Sequence, residues 1–173
     1  MMKKRSPERG KTRELDYLEI FKEFNKKKIE YIVCGGVALN LFGVPRITYD
    51  IDLLLKMEDR NLNKFIKLIK KWGFKPKIPV DIMDFASRES REKWIKEKSM
   101  RAFNLYNPDW PISEIDILIN VPVNYEAAIK GVIYKIIKDV KIPLVSVKHL
   151  IKMKQATGRK QDESDVRYLK KIL

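Results

Sequence analysis

Tyr49-Asp50-Ile51-Asp52-Leu53-Leu54-Leu55 sets two carboxylates, one residue apart, at the head of an otherwise apolar strand-forming run. In an extended chain alternate side chains share a face. Asp50 and Asp52 therefore project to one side, about 6.6 Å apart along the backbone, and Ile51 and Leu53 project to the other. Two like charges held side by side repel, and one of them takes up a proton unless a cation compensates both. A hard divalent ion with a preference for oxygen ligands is the simplest compensation.

Upstream, Tyr31-Ile32-Val33-Cys34-Gly35-Gly36-Val37-Ala38-Leu39 runs from a β-rich apolar segment through two glycines into a helix-compatible stretch. Glycine serves a sharp strand-to-helix turn for steric reasons alone. It also uncovers backbone amides at a helix N-terminus, where phosphate binds. Downstream, Glu114-Ile115-Asp116-Ile117-Leu118-Ile119 is another alternating strand. If it lies beside the Asp50 strand, Asp116 brings a third acid to the same sheet edge; by periodicity alone Glu114 is an equal candidate.

Together, Gly35-Gly36, Ala38-Leu39, Gly43, Arg46, Thr48, Asp50-x-Asp52 and Asp116 resemble the pattern of the DNA polymerase β-like nucleotidyltransferase superfamily. The likeness is to its small prokaryotic branch of abortive-infection toxin and antibiotic nucleotidyltransferases. A later signature of that branch, a Lys, a Gly-Arg and an acid pair, appears as Lys154, Gly158-Arg159, Asp162 and Asp165. Gln161 departs from it, since the branch usually has Lys before the first of those acids. The resemblance runs from Tyr31 to Leu173.

It implies an enzyme that uses Mg²⁺ (or Mn²⁺) to transfer a nucleoside monophosphate from a nucleoside triphosphate to an acceptor: a small molecule, RNA such as a tRNA, or a protein. It makes Asp50, Asp52 and Asp116 the catalytic metal ligands, with Asp116 also accepting the proton of the attacking hydroxyl. Gly35, Gly36, Arg46, Thr48, Lys154 and Arg159 become the nucleotide-binding set, with a structural ion pair as the alternative for Arg46. Asp162 and Asp165 are expected to anchor Arg159 and to favour the start of the last helix rather than to hold metal. Two other classes stay open: a non-catalytic nucleotide- or RNA-binding module, and a toxin–antitoxin component acting on a neighbouring protein.

The 173 residues suffice for one substantial core. The expected organisation is a basic arm over 1–12 and a single domain over 13–173, with a mixed α/β (α+β) fold: a mixed β-sheet flanked by helices and closed by C-terminal helices. Helical spacing marks 13–28, 37–42 and 61–72, and Ser87 to Lys98 reads as a charged helix. Strands are expected at Tyr31, Asp50, 101–106, Asp116 and 132–137, and two last helices over 146–157 and 162–173 meet at Gly158. The proline-broken 75–79 has no assignment. Trp110 is expected to cover the sheet edge, with a substrate platform as its alternative.

No apolar run reaches the roughly 20 residues of a membrane span, and the basic start leads into no signal-peptide core, so the expected location is the cytoplasm. Lys and Arg outnumber Asp and Glu by 37 to 23, a charge of +14. That excess suits a polyanionic partner, although the Lys- and Glu-rich, Gln-poor composition also fits a heat-loving source with solvated charged faces. A lone cysteine excludes an internal disulfide, and a lone histidine, His149, argues against Cys-His or Ser-His-Asp catalysis.

Overall fold

The computed structural model describes residues 17–110 and 114–173; the expected arm over 1–12 lies outside them. A seven-stranded mixed sheet organises the chain. Its strands are β1 (Tyr31–Cys34), β2 (Asp50–Leu55), β3 (Lys75–Pro76), β4 (Ala102–Tyr106), β5 (Glu114–Leu118), β6 (Ile133–Ile137) and β7 (Val140–Leu144). They lie in the order β3-β4-β5-β2-β1-β7-β6. The pairing β2 with β5 is parallel, with Asp52 level with Asp116, and β1 runs antiparallel to β2, with Cys34 level with Asp52.

The register gives the sheet two chemically different faces. Ile51, Leu53, Ile115 and Ile117 are completely buried on one of them. Helices α1 (Tyr17–Lys26) and α3 (Asp59–Lys71) cover that face at β1, where Phe21 stacks on Tyr31 at 5.7 Å and Phe24 meets Phe65 at 5.9 Å. A 3-10 turn (Ile82–Ala86) and α4 (Arg88–Lys98) continue the cover: Phe85 and Trp94 both stack on Phe103. The opposite face carries the acids. There stand α2 (Gly35–Leu41), α6 (Val147–Thr157) and α7 (Lys160–Lys171), and a short α5 (Tyr125–Ala128) precedes β6.

The elements expected from pattern are present, with shifted ends. The helix expected over 37–42 begins at Gly35, so both glycines belong to its first turn. Ser87 and Ser146 cap α4 and α6, each accepting a backbone N–H three residues on. Trp110 packs at 5.1 Å from Trp72 and 4.9 Å from Phe74, covering rather than presenting a platform. Several elements carried no expectation. The unassigned 75–79 contains the two-residue edge strand β3, and the 3-10 turn Ile82–Ala86 follows it. Another is β7, which contains Pro143, a residue that lacks a ladder donor and argues against a strand. A further one is α5, a single turn capped by Asn124.

Candidate active site

The acids meet because two neighbouring parallel strands present them in register. One carboxylate oxygen each from Asp50, Asp52 and Asp116 lies within 4.8 Å of the others. That spacing and all-oxygen chemistry fit a divalent cation. Glu114, the periodic alternative to Asp116, sits level with Asp50 but spends its carboxylate on Lys77 at 2.6 Å.

Burial and neighbouring charge are visible in the proton affinities of Asp52 and Asp116. Burial, followed by the charges of Asp50 and Asp116, pushes Asp52 up to about 7, against the opposing pull of Lys154 and the Gly36 amide. Asp116 is also raised, chiefly by burial, and a hydrogen bond from Asn104 works the other way. Asn104 stands directly opposite Asp116 across the β4–β5 pair, and its Nδ2 donates to Asp116 Oδ1 at 2.8 Å. Thr48 Oγ1 donates to Asp50 Oδ1 at 2.7 Å. Each outer acid therefore has one oxygen fixed by a neutral donor and the other left to a ligand.

Both glycines are explained by how closely the acid strand approaches them. Gly35 has φ +62°, and a Cβ there would overlap the Asp52 carboxylate. A Cβ at Gly36 would stand 2.7 Å from Thr48 Oγ1. The Gly36 amide is hydrogen-bonded to Asp52. The steric role of the pair thus accompanies whatever its amides do for a ligand.

All nine residues singled out in the sequence line one cavity of about 580 Å³: Asp50, Asp52, Asp116, Gly35, Gly36, Arg46, Thr48, Lys154 and Arg159. Leu118, Val121, Pro122, Leu150 and Met153 give it an apolar portion. The chain superimposes on lincomycin-bound lincosamide antibiotic adenylyltransferase LnuA with a TM-score of 0.60, at 18% identity over 90% of this chain and 94% of that one. The chain has a nucleotidyltransferase fold. An antigenic nucleotidyltransferase-like protein from Paracoccidioides brasiliensis is similar too, with a TM-score of 0.53 and 17% identity over 90% of this chain and 72% of that one. No protein-family model matches the sequence, and no curated protein sequence does.

On this nucleotidyltransferase fold the C-terminal helices contribute a cluster of buried charge. Lys154 Nζ donates to Asp162 Oδ1 at 2.8 Å and lies 3.0 Å from Asp165 Oδ2. Arg46 pairs with the same Asp165 oxygen, and Thr157 Oγ1 donates to Asp162. Arg46 thus takes the ion-pair alternative while still lining the cavity. Asp162 and Asp165, expected to anchor Arg159, instead grip Lys154 and Arg46. Arg159 precedes α7 as an exposed residue whose positive charge still reaches Asp162. Burial tends to raise Asp162, but the hydrogen bonds from Lys154 and Thr157 outweigh it and hold the carboxyl low. Gln161 is exposed and lies off the cavity.

Asn104 and Thr157 carried no sequence signal. Asparagine in a strand and threonine at a helix end are unremarkable in a single sequence, and only cross-strand register or the Gly158 turn reveals what they hold. Cys34, level with Asp52 and fully buried, has its thiol pushed well up, first by burial and then by Asp52. A protonated, enclosed thiol is no nucleophile.

Proposed function

We propose that the chain is a cytoplasmic nucleotidyltransferase that moves a nucleoside monophosphate from a nucleoside triphosphate to a hydroxyl of an acceptor molecule, using Mg²⁺ or Mn²⁺. One observation carries the reading: three register-locked carboxylates within 4.8 Å line the same cavity as Lys154, Arg159 and Arg46. Among the described residues no helix is long and apolar enough to cross a membrane.

Asp50, Asp52 and Asp116 would hold the divalent ions. Bound there, the ions supply positive charge to the attacking and leaving oxygens of an in-line displacement. The acceptor oxygen attacks the α-phosphorus, the bond to the β-phosphate oxygen breaks, and pyrophosphate leaves. Asp116 takes the hydroxyl proton. The Asn104 amide, which donates to its Oδ1, fixes its orientation for that transfer. Lys154 and Arg159 face the triphosphate from the side of the C-terminal helices, and Thr48 keeps Asp50 aimed at the ions.

Calorimetric titration with Mg²⁺ or Mn²⁺ and a nonhydrolysable triphosphate tests the assignment. Wild type should bind, and the variant carrying Asp50→Asn with Asp52→Asn should not. Equal affinity in both would sink the metal site and the function built on it.

A further inference from the structure

The cations best placed to greet a triphosphate are already spoken for. Lys154 engages both Asp162 and Asp165, and Arg46 engages Asp165. These are enclosed pairs: the side chains of Lys154 and Arg46 are 11% and 19% exposed, and those of Asp162 and Asp165 are 5% and 8% exposed. An ammonium has three N–H donors, so Lys154 keeps one for the cavity after serving two carboxylates. Its direction is fixed, and its charge is cancelled.

The same cavity holds the carboxylates of Asp50, Asp52 and Asp116, which have no basic side chain within ion-pair distance among the described residues. Two enclosed cations are matched by two enclosed acids, and the exposed Arg101 and Arg159, which also line the cavity, stand against the three carboxylates of the triad. Without divalent ions the remaining formal balance, two cations against three acids, is negative, although the molecule as a whole carries +14. Surface lysines beyond about 8 Å are largely screened at physiological ionic strength and do little to reverse it.

We propose that Asp162 and Asp165 make nucleotide binding conditional on the metal: by cancelling Lys154 and Arg46, they leave a cavity that rejects a bare triphosphate and accepts one only once divalent ions sit on the triad. The inference rests on the triphosphate reading above and adds a function for the acid pair of α7. Asp162 and Asp165 are positioning residues in this scheme. Asp165 lies off the cavity, and Asp162, which lines it, has both carboxylate oxygens taken by Lys154 and Thr157, so the pair acts through the charge and direction of Lys154 and Arg46. The benefit is discrimination against unmetallated triphosphate, which could occupy the cavity without reacting.

A purely structural brace predicts the opposite sign. If Asp162 and Asp165 only hold the cations in place, neutralising either carboxylate loosens Lys154 or Arg46 and weakens every form of triphosphate binding. If they cancel charge, neutralising either one strengthens binding of the metal-free form. At an effective dielectric near 20, one unit charge about 6 Å from the phosphates changes affinity on the order of 10- to 100-fold.

The experiment measures ATP and inorganic tripolyphosphate binding to the full chain by calorimetry, in EDTA and in Mg²⁺, for wild type, Asp162→Asn and Asp165→Asn. Wild type should bind both probes in Mg²⁺ and at least roughly 100-fold more weakly in EDTA, the upper end of that Coulomb range. Each asparagine variant should bind more tightly in EDTA by about tenfold or more, narrowing the gap between the two conditions. Folded variants that bind metal-free ATP no better than wild type would overturn the proposal while leaving the triphosphate site intact. So would a wild type that binds equally with and without Mg²⁺, a comparison that needs no variant to fold. Failure of any probe to bind wild type in Mg²⁺ would instead remove the triphosphate reading, and this proposal with it.

Discussion

Replacing Asp52 by asparagine should stabilise the metal-free protein, and only above mildly acidic pH. Asp52 is held at about 7 in the fold against its usual 3.8. A carboxyl with a raised folded value binds its proton more tightly when native than when unfolded. Its stability contribution is therefore complete below pH 3.8, declines as pH rises from there through 7, and is gone above. A shift of about three units corresponds to roughly 4 kcal/mol at full ionisation. Asparagine keeps an acceptor for the Gly36 amide and removes the charge, and it also relieves Asp50 and Asp116. Guanidinium unfolding in EDTA at pH 5 and pH 8 measures the effect. Wild type should lose about 2–3 kcal/mol relative to Asp52→Asn between those two values, the part of the total that falls above pH 5, and Mg²⁺ added at pH 8 should return a large part of the loss to wild type alone. Parallel pH dependences for the two proteins would refute the reasoning, because the penalty would then not arise from Asp52.

Once an acceptor is known, Asp116→Asn should lower kcat by about 10²-fold or more with little change in triphosphate affinity, as expected for a group that acts in the transition state; near-normal turnover would remove it from the chemistry. Gly35→Ala combines a left-handed φ with a clash against Asp52, and should cost about 1–3 kcal/mol in denaturant titration and abolish Mg²⁺ binding in calorimetry. Cys34 should resist a thiol reagent in the native protein at pH 8 and react fully in guanidinium; rapid native labelling would contradict its burial. Arg159→Ala should weaken Mg²⁺-dependent ATP binding and leave the melting temperature within a degree or two, since an exposed arginine contributes little to stability.

The alternation in Asp50-Ile51-Asp52-Leu53 was enough to say which side chains share a face, and the sheet obeys it because a strand has no other way to bury Ile51 and Leu53. The convergence of Asp116 was conditional in the sequence. Nothing local to β5 says that it pairs with β2, and that pairing turns two separate acidic strands into one site. The last helices were legible from spacing and from Gly158, but the partners of their acids were not. Asp165 reaches Arg46 across 119 positions of chain, and a single sequence records no such contact. The hairpin of β6 and β7 was half hidden for a backbone reason. Its turn, Lys138-Asp139, puts two non-glycine residues at positive φ, where glycine or asparagine is the usual signal.

The positions of the tryptophans decide what light can report from this protein. Trp72 and Trp110 lie 5.1 Å apart beside Phe24 and Phe74, and Trp94 lies flat over Phe103, its ring centroid 5.4 Å away. None of the three lines the cavity. Trp94 packs with Phe103 on the face of β4 opposite Asn104. Intrinsic emission should therefore follow unfolding of the aromatic layer and stay silent when ions or nucleotide enter. Near-ultraviolet circular dichroism should show coupling between the indoles of Trp72 and Trp110 that vanishes with the fold. An optical signal for ligand entry has to be installed on the other side of the sheet, and Leu118, in the apolar portion of the cavity, is a position from which an introduced tryptophan would see both.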